Sequence, residues 1–358
     1  MKKIFAMILC LAMIFAMAAC GSAPAEEAAP VEEVAPAEET AAVEEPAAVE
    51  HDPIVLTMGN TFASGSGSVI NDELNKMSDR VSERTNGGLS LDIKGDSLLG
   101  SEAEMYESLF MGTLDMALES IAFQSTSHPE LVIEDLPYMF ATRQNGYDAL
   151  DGKYGEAINN IISESGEIRN LGFIELGYRH ITNNVRPIEK PEDLQGVKIR
   201  TTSSDLRRAV FEKLGATTVS MGFGELFSAL QQNVVDGQET PLTTIKSSSF
   251  NEVQKYLSLT GHFWTNECIL INEAKWQSIP QEWRDIMMEE VAVCVAAVRE
   301  RIQVEDATIA DEMAALGMEV NEVDKAPFAE ALESLYAEYE ENVIGTELMD
   351  IYREYSGY

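Results

Sequence analysis

A stretch of about 35 residues near the C-terminus, 281–316, contains neither glycine nor proline, and it constrains the fold more than any other feature. The stretch is rich in Ala, Glu, Arg and Met, which favour helix. One helix of this length would run roughly 50 Å, which exceeds the width of a single small lobe. We therefore expect a helix that spans two lobes, or else two helices joined by a turn near residues 304–308.

Short apolar segments alternate with amphipathic segments along the rest of the chain. Strands are predicted at 54–58, 89–94, 114–118, 168–176, 178–182 and 197–201. Helices are predicted at 68–85, 102–111, 147–164, 205–214 and 225–232, with Ser203 or Ser204 as the N-cap of the fourth. This alternation predicts α/β lobes with mainly parallel sheets, and a body of roughly 300 residues is large for one core, which indicates two lobes.

The N-terminus has the pattern of a secretory signal, which we assign to residues 1–19. Lys2 and Lys3 precede an apolar run that ends on small residues before Cys20. The tetrapeptide Met-Ala-Ala-Cys at 17–20 resembles a bacterial lipobox in which Met17 replaces the usual Leu, so Cys20 is the predicted lipidation site, with an ordinary cleavage site and an unmodified Cys20 as the alternative. Residues 20–52 consist mostly of Ala, Pro, Glu and Val without any Lys or Arg, which predicts a disordered tether.

Composition argues against several classes of protein. Acidic residues exceed basic residues by 36, so binding to nucleic acid, which needs a basic surface, is not expected. Beyond Cys20 the chain has only Cys268 and Cys294, whose apolar neighbours predict two buried thiols, with a disulfide between them as the alternative. The sequence has no His-Glu-x-x-His motif, no paired Cys-x-x-Cys and no calcium-loop spacing, so no metal or cofactor is predicted.

Signatures of catalysis are absent from the sequence as well. It has no Gly-x-Ser-x-Gly elbow, no phosphate-binding loop and no Gly-x-Gly-x-x-Gly turn. Glu134 and Asp135 are adjacent acids, which we interpret as a solvated pair rather than as an acid–base pair. We therefore expect a protein that binds its ligand without transforming it.

Five motifs follow one another in the second half of the chain. They are GYRHITNN at 177–184, PEDLQGVKIR at 191–200, MGFGELFSALQ at 221–231, VDGQETP at 235–241 and EVQKYL at 252–257. In this order they resemble the solute-binding subunit, of the DctP family, of tripartite ATP-independent periplasmic (TRAP) transporters. The resemblance covers nearly the whole body and implies a two-lobe fold of the class II periplasmic-binding-protein type, with the long helix spanning both lobes. We expect lobe I at 53–176 plus 265–304 and lobe II at 177–264 plus 305–358.

Arg200 is the residue that the sequence places best for binding an anion. It lies in the strand 197–201, and Ser203 and Ser204 follow at the start of a helix, where α/β proteins hold anions. A guanidinium matches a carboxylate with two parallel donors. A surface ion pair is the alternative for an isolated Arg, whereas the resemblance implies that Arg200 holds the substrate carboxylate.

The resemblance implies further cleft residues. Arg179 matches a second ligand-contacting Arg, with a structural ion pair as its alternative. Thr240 stands where many relatives have Asn, which leaves open whether the acid is a dicarboxylate, a sugar acid or another hydroxy or keto acid. Further cleft positions, each with packing or capping as its alternative, are Asn60, Glu119, Ser203 and Phe223.

The function that the resemblance implies is uptake. The chain would capture a small organic acid in an interlobe cleft and deliver it to separate TRAP permease subunits in the membrane, without a cofactor. It would be a cell-envelope lipoprotein in the periplasm or on the outer face of the cell membrane. A receptor for an ABC importer or for a sensor kinase is the alternative on the same fold, and a secreted hydrolase is a further alternative.

Overall fold

The computed structural model describes residues 51–65 and 67–358. The predicted signal sequence, the lipidation residue Cys20 and residues 21–50 of the predicted tether lie outside the described residues.

Ten strands and eleven α-helices alternate along the described part of the chain. The strands are β1 Ile54–Gly59, β2 Leu89–Lys94, β3 Met116–Ser120, β4 Ile168–Asn183, β5 Lys198–Thr201, β6 Thr217–Ser220, β7 Gly237–Pro241, β8 Tyr256–Leu259, β9 Trp264–Asn272 and β10 Glu319–Glu322. The helices are α1 Val69–Arg84, α2 Glu102–Phe110, α3 Arg143–Leu150, α4 Lys153–Ile162, α5 Asp205–Lys213, α6 Phe223–Gln231, α7 Leu242–Ser247, α8 Glu273–Ser278, α9 Gln281–Ala315, α10 Ala326–Tyr339 and α11 Thr346–Arg353. The helix predicted at 147–164 is two helices, α3 and α4.

The sheet is mixed, in the order β2-β1-β3-β9-β4-β7-β5-β6, with β8 and β10 joined to β4 through β8. The outer strands pair in parallel: β1 with β2 and β3, and β5 with β6 and β7. The central pairs β3–β9, β9–β4 and β4–β7 are antiparallel. The prediction of mainly parallel sheets is therefore wrong for the centre of the sheet, because β4 runs antiparallel to both β9 and β7, and the unpredicted strand β9 also runs antiparallel to β3.

Strand β4 connects the two halves of the sheet. It pairs with β9 as far as Tyr178 and with β7 from Arg179 onwards. A register shift separates Glu175 from Gly177, and Gly177 has φ +110°, a conformation that glycine adopts at little cost. The two strands predicted at 168–176 and 178–182 are therefore one irregular strand. We call the β9 side of this crossover lobe I and the β7 side lobe II.

Helix α9 runs unbroken from Gln281 to Ala315, which confirms the predicted long helix and excludes a turn near 304–308. Its buried side chains from Trp283 to Ile302 belong to the core of lobe I, whereas Ile309 and Met313 belong to a core of lobe II. The same helix is thus packed into both lobes. The lobe boundaries predicted from the sequence remain a prediction.

Glu134 and Asp135 are buried, with 2% and 0% of their surface exposed, so their interpretation as a solvated pair is wrong. They lie in a 3₁₀ segment, Pro129–Asp135. Asp135 forms an ion pair with Arg207, and Glu134 accepts a hydrogen bond from the Tyr154 hydroxyl at 3.2 Å. The sequence gives no sign of these partners because they lie far away along the chain.

Cys268 and Cys294 are both free and buried, as predicted. Over residues 51–65 and 67–358, none of the helices combines the length and the hydrophobicity of a membrane span. In the same ranges, no group of His, Cys, Asp and Glu side chains is arranged to hold a metal ion.

Candidate functional site

Both lobes line a small cavity beside the crossover of β4, with a free volume of about 40 Å³. Lobe I contributes Thr61, Phe62, Glu102, Ser120, Leu176, Thr265 and Glu267, and lobe II contributes Arg179, Arg200, Thr202, Arg207, Phe223, Thr240 and Thr244. The wall formed by lobe II therefore carries three cations, and the wall formed by lobe I carries two acids.

Arg200 lies in β5 with 2% of its surface exposed. Its Nε and Nη2 atoms donate to the backbone oxygen of Met221 at 3.0 and 2.7 Å, and the ring of Phe223 lies 5.9 Å from its guanidinium carbon. Among the described residues, no carboxylate oxygen lies within 4.0 Å of this guanidinium. Burial lowers the pKa of Arg200 to about 10, despite the more distant charges of Glu239 and Glu102.

Arg179 and Arg207, in contrast, are paired with acids. Arg179 Nε lies 2.5 Å from Glu239 Oε2, and its Nη2 lies 3.0 Å from Glu239 Oε1. Arg207 forms ion pairs with Asp135 and, at 3.4 Å, with Glu239 Oε1. Burial alone would raise the pKa of Glu239, but the charges of the two arginines hold it below its usual value. Two acids thus balance two of the three arginines, and the charge of Arg200 is left without an equivalent partner on its own wall.

Glu102 reaches the cavity from the first residue of α2. Ser101 caps this helix by accepting from the Glu104 backbone N–H at 3.4 Å, and Glu104 Oε2 accepts from the Ser101 backbone N–H at 2.8 Å. This reciprocal cap fixes where the helix begins and so directs Glu102. Burial raises the pKa of Glu102, although the charges of the cavity arginines, Arg200 foremost, oppose the effect.

Glu267 projects into the cavity from β9, with 3% of its surface exposed. Its Oε2 atom has no hydrogen-bond partner within the described part of the chain. Burial raises the pKa of this carboxyl well above its usual value, and repulsion from Glu102 adds to the shift. A buried carboxyl oxygen of this kind is left for a hydrogen-bond partner other than the described protein groups, such as water or a ligand.

The structure brings four of the predicted site residues together. Arg179, Arg200, Phe223 and Thr240 all line the cavity. Their roles toward a ligand remain predictions, and Arg179 also fulfils its structural alternative through the pair with Glu239.

Three other predicted residues do not line the cavity. Asn60 donates to Asn71 Oδ1 at 2.8 Å and accepts from the Phe62 backbone N–H at 3.0 Å, which fixes the turn after β1. Glu119 is fully buried in β3, and neither of its carboxylate oxygens has a partner among the described residues. Ser203 is exposed and lines a different hollow together with Tyr339.

The sequence reasoning missed three charged lining residues. Arg207 is three residues beyond the cap Ser204, whose Oγ accepts from its N–H at 3.3 Å, so the predicted helix start could have indicated it. Glu102 is the first residue of a predicted helix, so the predicted helix start could have indicated it too. Glu267 lies in the unpredicted strand β9, and no local sequence pattern indicated it.

Comparisons with known proteins identify the family and the fold. The model of the family described as bacterial extracellular solute-binding protein, family 7 (DctP), matches residues 60–342. The chain is 32% identical, over 258 residues, to the 2,3-diketo-L-gulonate-binding periplasmic protein YiaO of Escherichia coli, and the match covers 72% of this chain and 78% of that protein.

Solved structures of TRAP periplasmic solute-binding proteins share the fold. One from a Sulfitobacter species, with bound β-D-galacturonate, is 27% identical with a TM-score of 0.79, covering 85% of this chain and 99% of that chain. Another from Sulfurospirillum deleyianum, with bound succinate, is 26% identical with a TM-score of 0.79, covering 85% of this chain and 100% of that chain. This similarity confirms the predicted two-lobe α/β fold.

Proposed function

This chain belongs to bacterial extracellular solute-binding protein family 7, and on that premise we propose that it captures a small organic acid and hands it to a membrane permease of the TRAP type. The ligands named for its relatives support the choice of ligand class, since diketogulonate, galacturonate and succinate are all carboxylic acids. We propose binding without turnover, as in the family to which the chain belongs.

The observation that carries the proposal is the state of Arg200. Burying a cation without a matching anion costs free energy, and proteins retain such an arrangement where a ligand supplies the missing charge. In the proposed complex a carboxylate takes the guanidinium donors that face the cavity, while Met221 O continues to hold Nε and Nη2 in place. A charge-assisted pair in such a site is roughly twice as strong as a neutral hydrogen bond.

Closure of the lobes is the proposed conformational step. A free volume of about 40 Å³ holds only a few water molecules, so an organic acid enters only when the walls separate. The walls also touch outside the cavity, where a Cβ atom placed on Gly224 of lobe II would lie 3.2 Å from Ser97 Oγ of lobe I. The irregular segment of β4 at Gly177 is where the strand passes from one lobe to the other, and we assign the hinge to it.

Attachment to the membrane is a separate part of the proposal. Its support is the sequence at 17–20 and the charged, proline-containing segment up to residue 52, which would hold the binding unit at a distance from a lipidated Cys20. Detergent phase partitioning of the expressed full chain tests this part. We expect the wild type in the detergent phase and Cys20→Ser in the aqueous phase, and equal partitioning of the two proteins would contradict lipidation.

A melting screen over carboxylic acids and their uncharged analogues tests the binding function. A ligand at 100 times its Kd stabilises the folded protein by about 2.7 kcal/mol, which shifts the melting temperature measurably. We expect stabilisation by acids such as galactonate and none by the matching alcohol galactitol. Stabilisation by galactitol equal to that by galactonate would contradict recognition of a carboxylate.

Two variants test whether the ligand-induced rise in melting temperature depends on the cavity. Arg200→Met should abolish the ligand-induced shift. Arg208→Met is the matched control, because Arg208 is half exposed on α5 and pairs with Asp205 at 2.9 Å outside the cavity. A full shift in the Arg200→Met protein would remove Arg200 from the site.

A further inference from the structure

The two walls of the cavity differ in charge in a way that narrows the ligand class. On lobe II, Arg179 and Arg207 are balanced by Glu239 and Asp135, which leaves Arg200 as the cation that a ligand can neutralise. One unpaired cation can be neutralised by one ligand carboxylate. The ion pairs of Arg179 and Arg207 therefore limit the ligand to a single negative charge on this wall.

The wall formed by lobe I offers acceptors in place of cations. Glu102 and Glu267 both line the cavity, and neither has a basic side chain within 4.0 Å among the described residues. A second carboxylate on the ligand would therefore be buried at this wall beside two acids and without a cation to pair with, which costs free energy. The buried Oε2 atom of Glu267, which lacks a partner in the described ranges, instead fits a hydroxyl donor from the ligand.

Hydroxyl side chains complete the lining between the two walls. Ser120 and Thr265 come from lobe I, and Thr202, Thr240 and Thr244 come from lobe II. A hydroxyl can both donate and accept, so these residues match the mixed donors and acceptors of a polyol. Thr240 provides such a hydroxyl at the position where many relatives have Asn.

We propose that the ligand is a polyhydroxy acid with a single carboxylate, and that Glu102 and Glu267 bind its hydroxyl groups and exclude dicarboxylates. This inference rests on the proposed function, because it assigns the carboxylate to Arg200. It also specifies the orientation of the bound ligand, with the carboxylate on lobe II and the polyol chain toward lobe I.

Calorimetry with five probes at one ionic strength tests the inference: D-galactonate, D-erythronate, succinate, pyruvate and galactitol. We expect at least one of the two sugar acids to bind at least 100-fold more tightly than succinate and than pyruvate, which lacks hydroxyl groups. Succinate or pyruvate binding as tightly as the better sugar acid would overturn the inference and leave the proposed function in place. Absence of binding by all four acids would overturn both, so the two failures are distinguishable.

Variants of Glu102 and Glu267 without a carboxyl group test whether these residues cause the preference for sugar acids over succinate. Glu267→Leu and Glu102→Leu should each weaken galactonate binding and reduce its preference over succinate by at least 10-fold, since each removes a carboxyl that binds a ligand hydroxyl and succinate has no hydroxyl. Glu107→Leu is the matched control, because Glu107 lies exposed on the same helix as Glu102. A preference unchanged in both cavity variants would overturn the role of lobe I, and melting curves without ligand establish that each variant is folded.

Discussion

At the scale of single residues, Arg200 differs from its neighbours in its partners rather than in its burial. All three cavity arginines are almost fully buried, but only Arg179 and Arg207 have carboxylates within ion-pair distance among the described residues. The sequence indicated Arg200 because a strand ends there just before a helix cap. It could not show that Glu239 is a partner of Arg179, since 60 residues separate them and only the pairing of β4 with β7 brings them together.

The two kinds of arginine should respond differently to removal of their charge. Arg207→Met leaves Asp135 and part of Glu239 uncompensated in the interior, which costs about 3–5 kcal/mol of unfolding free energy. Arg200→Met removes a buried charge that lacks an ion pair, so we expect a loss below about 1 kcal/mol, or a gain. Urea denaturation of the ligand-free proteins measures both values. Equal losses in the two variants would show that Arg200 is a structural residue.

His180 makes a second prediction at this scale, concerning acid stability. It is buried, it accepts from the Gly261 N–H at 3.1 Å, and its pKa is lowered to about 3 by burial and by the charges of His262, Lys325 and Arg143. The unfolded chain binds a proton at this residue below about pH 6.5 while the folded chain does not. Stability conferred by the neutral ring is therefore complete above pH 6.5 and is lost as the pH falls toward 3, by up to about 1.4 kcal/mol per pH unit.

The variant His180→Asn keeps an acceptor for Gly261 and removes the titration. Between pH 7 and pH 5 we expect it to lose about 2 kcal/mol less unfolding free energy than the wild type does. Urea denaturation at the two pH values gives this difference directly. Parallel losses in the two proteins would mean that His180 does not carry the acid sensitivity.

At the scale of elements, the prediction succeeded where a local pattern decides the structure and failed where distant pairing does. Residues 281–316 lack any helix breaker, and α9 follows almost the whole stretch. Strand β9 is buried along its full length between β3 and β4, so it carries no alternation of polar and apolar residues. Strand β9 runs antiparallel because the chain comes back from lobe II to lobe I at this point. A short stretch of sequence carries no information about that long-range path.

The unbroken middle of α9 gives a prediction at this scale. Val304 is 64% exposed, between the part of the helix packed in lobe I and the part packed in lobe II. Val304→Pro removes a helix hydrogen bond and should cost about 3 kcal/mol or more, whereas the control Val304→Ala should gain a few tenths of a kcal/mol. Chemical denaturation measures both changes. A cost below about 1 kcal/mol for the proline variant would indicate a break in the helix at this point.

At the scale of the whole molecule, binding depends on how closely the two lobes approach each other. The cavity residues come from both lobes, and Gly224 lies against Ser97 where the lobes meet outside the cavity. A side chain on Gly224 would occupy the space in which the lobes come together. The glycine is therefore expected to matter for closure more than for folding.

Gly224→Leu tests this expectation. We expect ligand affinity to fall at least 10-fold while the unfolding free energy stays within about 0.5 kcal/mol of the wild type, as for a surface substitution. Small-angle scattering should show a decrease in radius of gyration on ligand binding for the wild type and not for this variant. Ser228→Leu, exposed one turn further along α6, is the control. Unchanged ligand affinity in Gly224→Leu would show that the contact between Gly224 and Ser97 is not needed for closure of the lobes.

The most direct test of the account is a crystal structure of the protein with the tightest-binding acid from the melting screen. We predict both carboxylate oxygens of the ligand within about 2.7–3.2 Å of the Arg200 guanidinium, between the two lobes, with Met221 O still accepting from Nε. A ligand carboxylate bound elsewhere, with the Arg200 guanidinium contacting only Met221, would contradict the account.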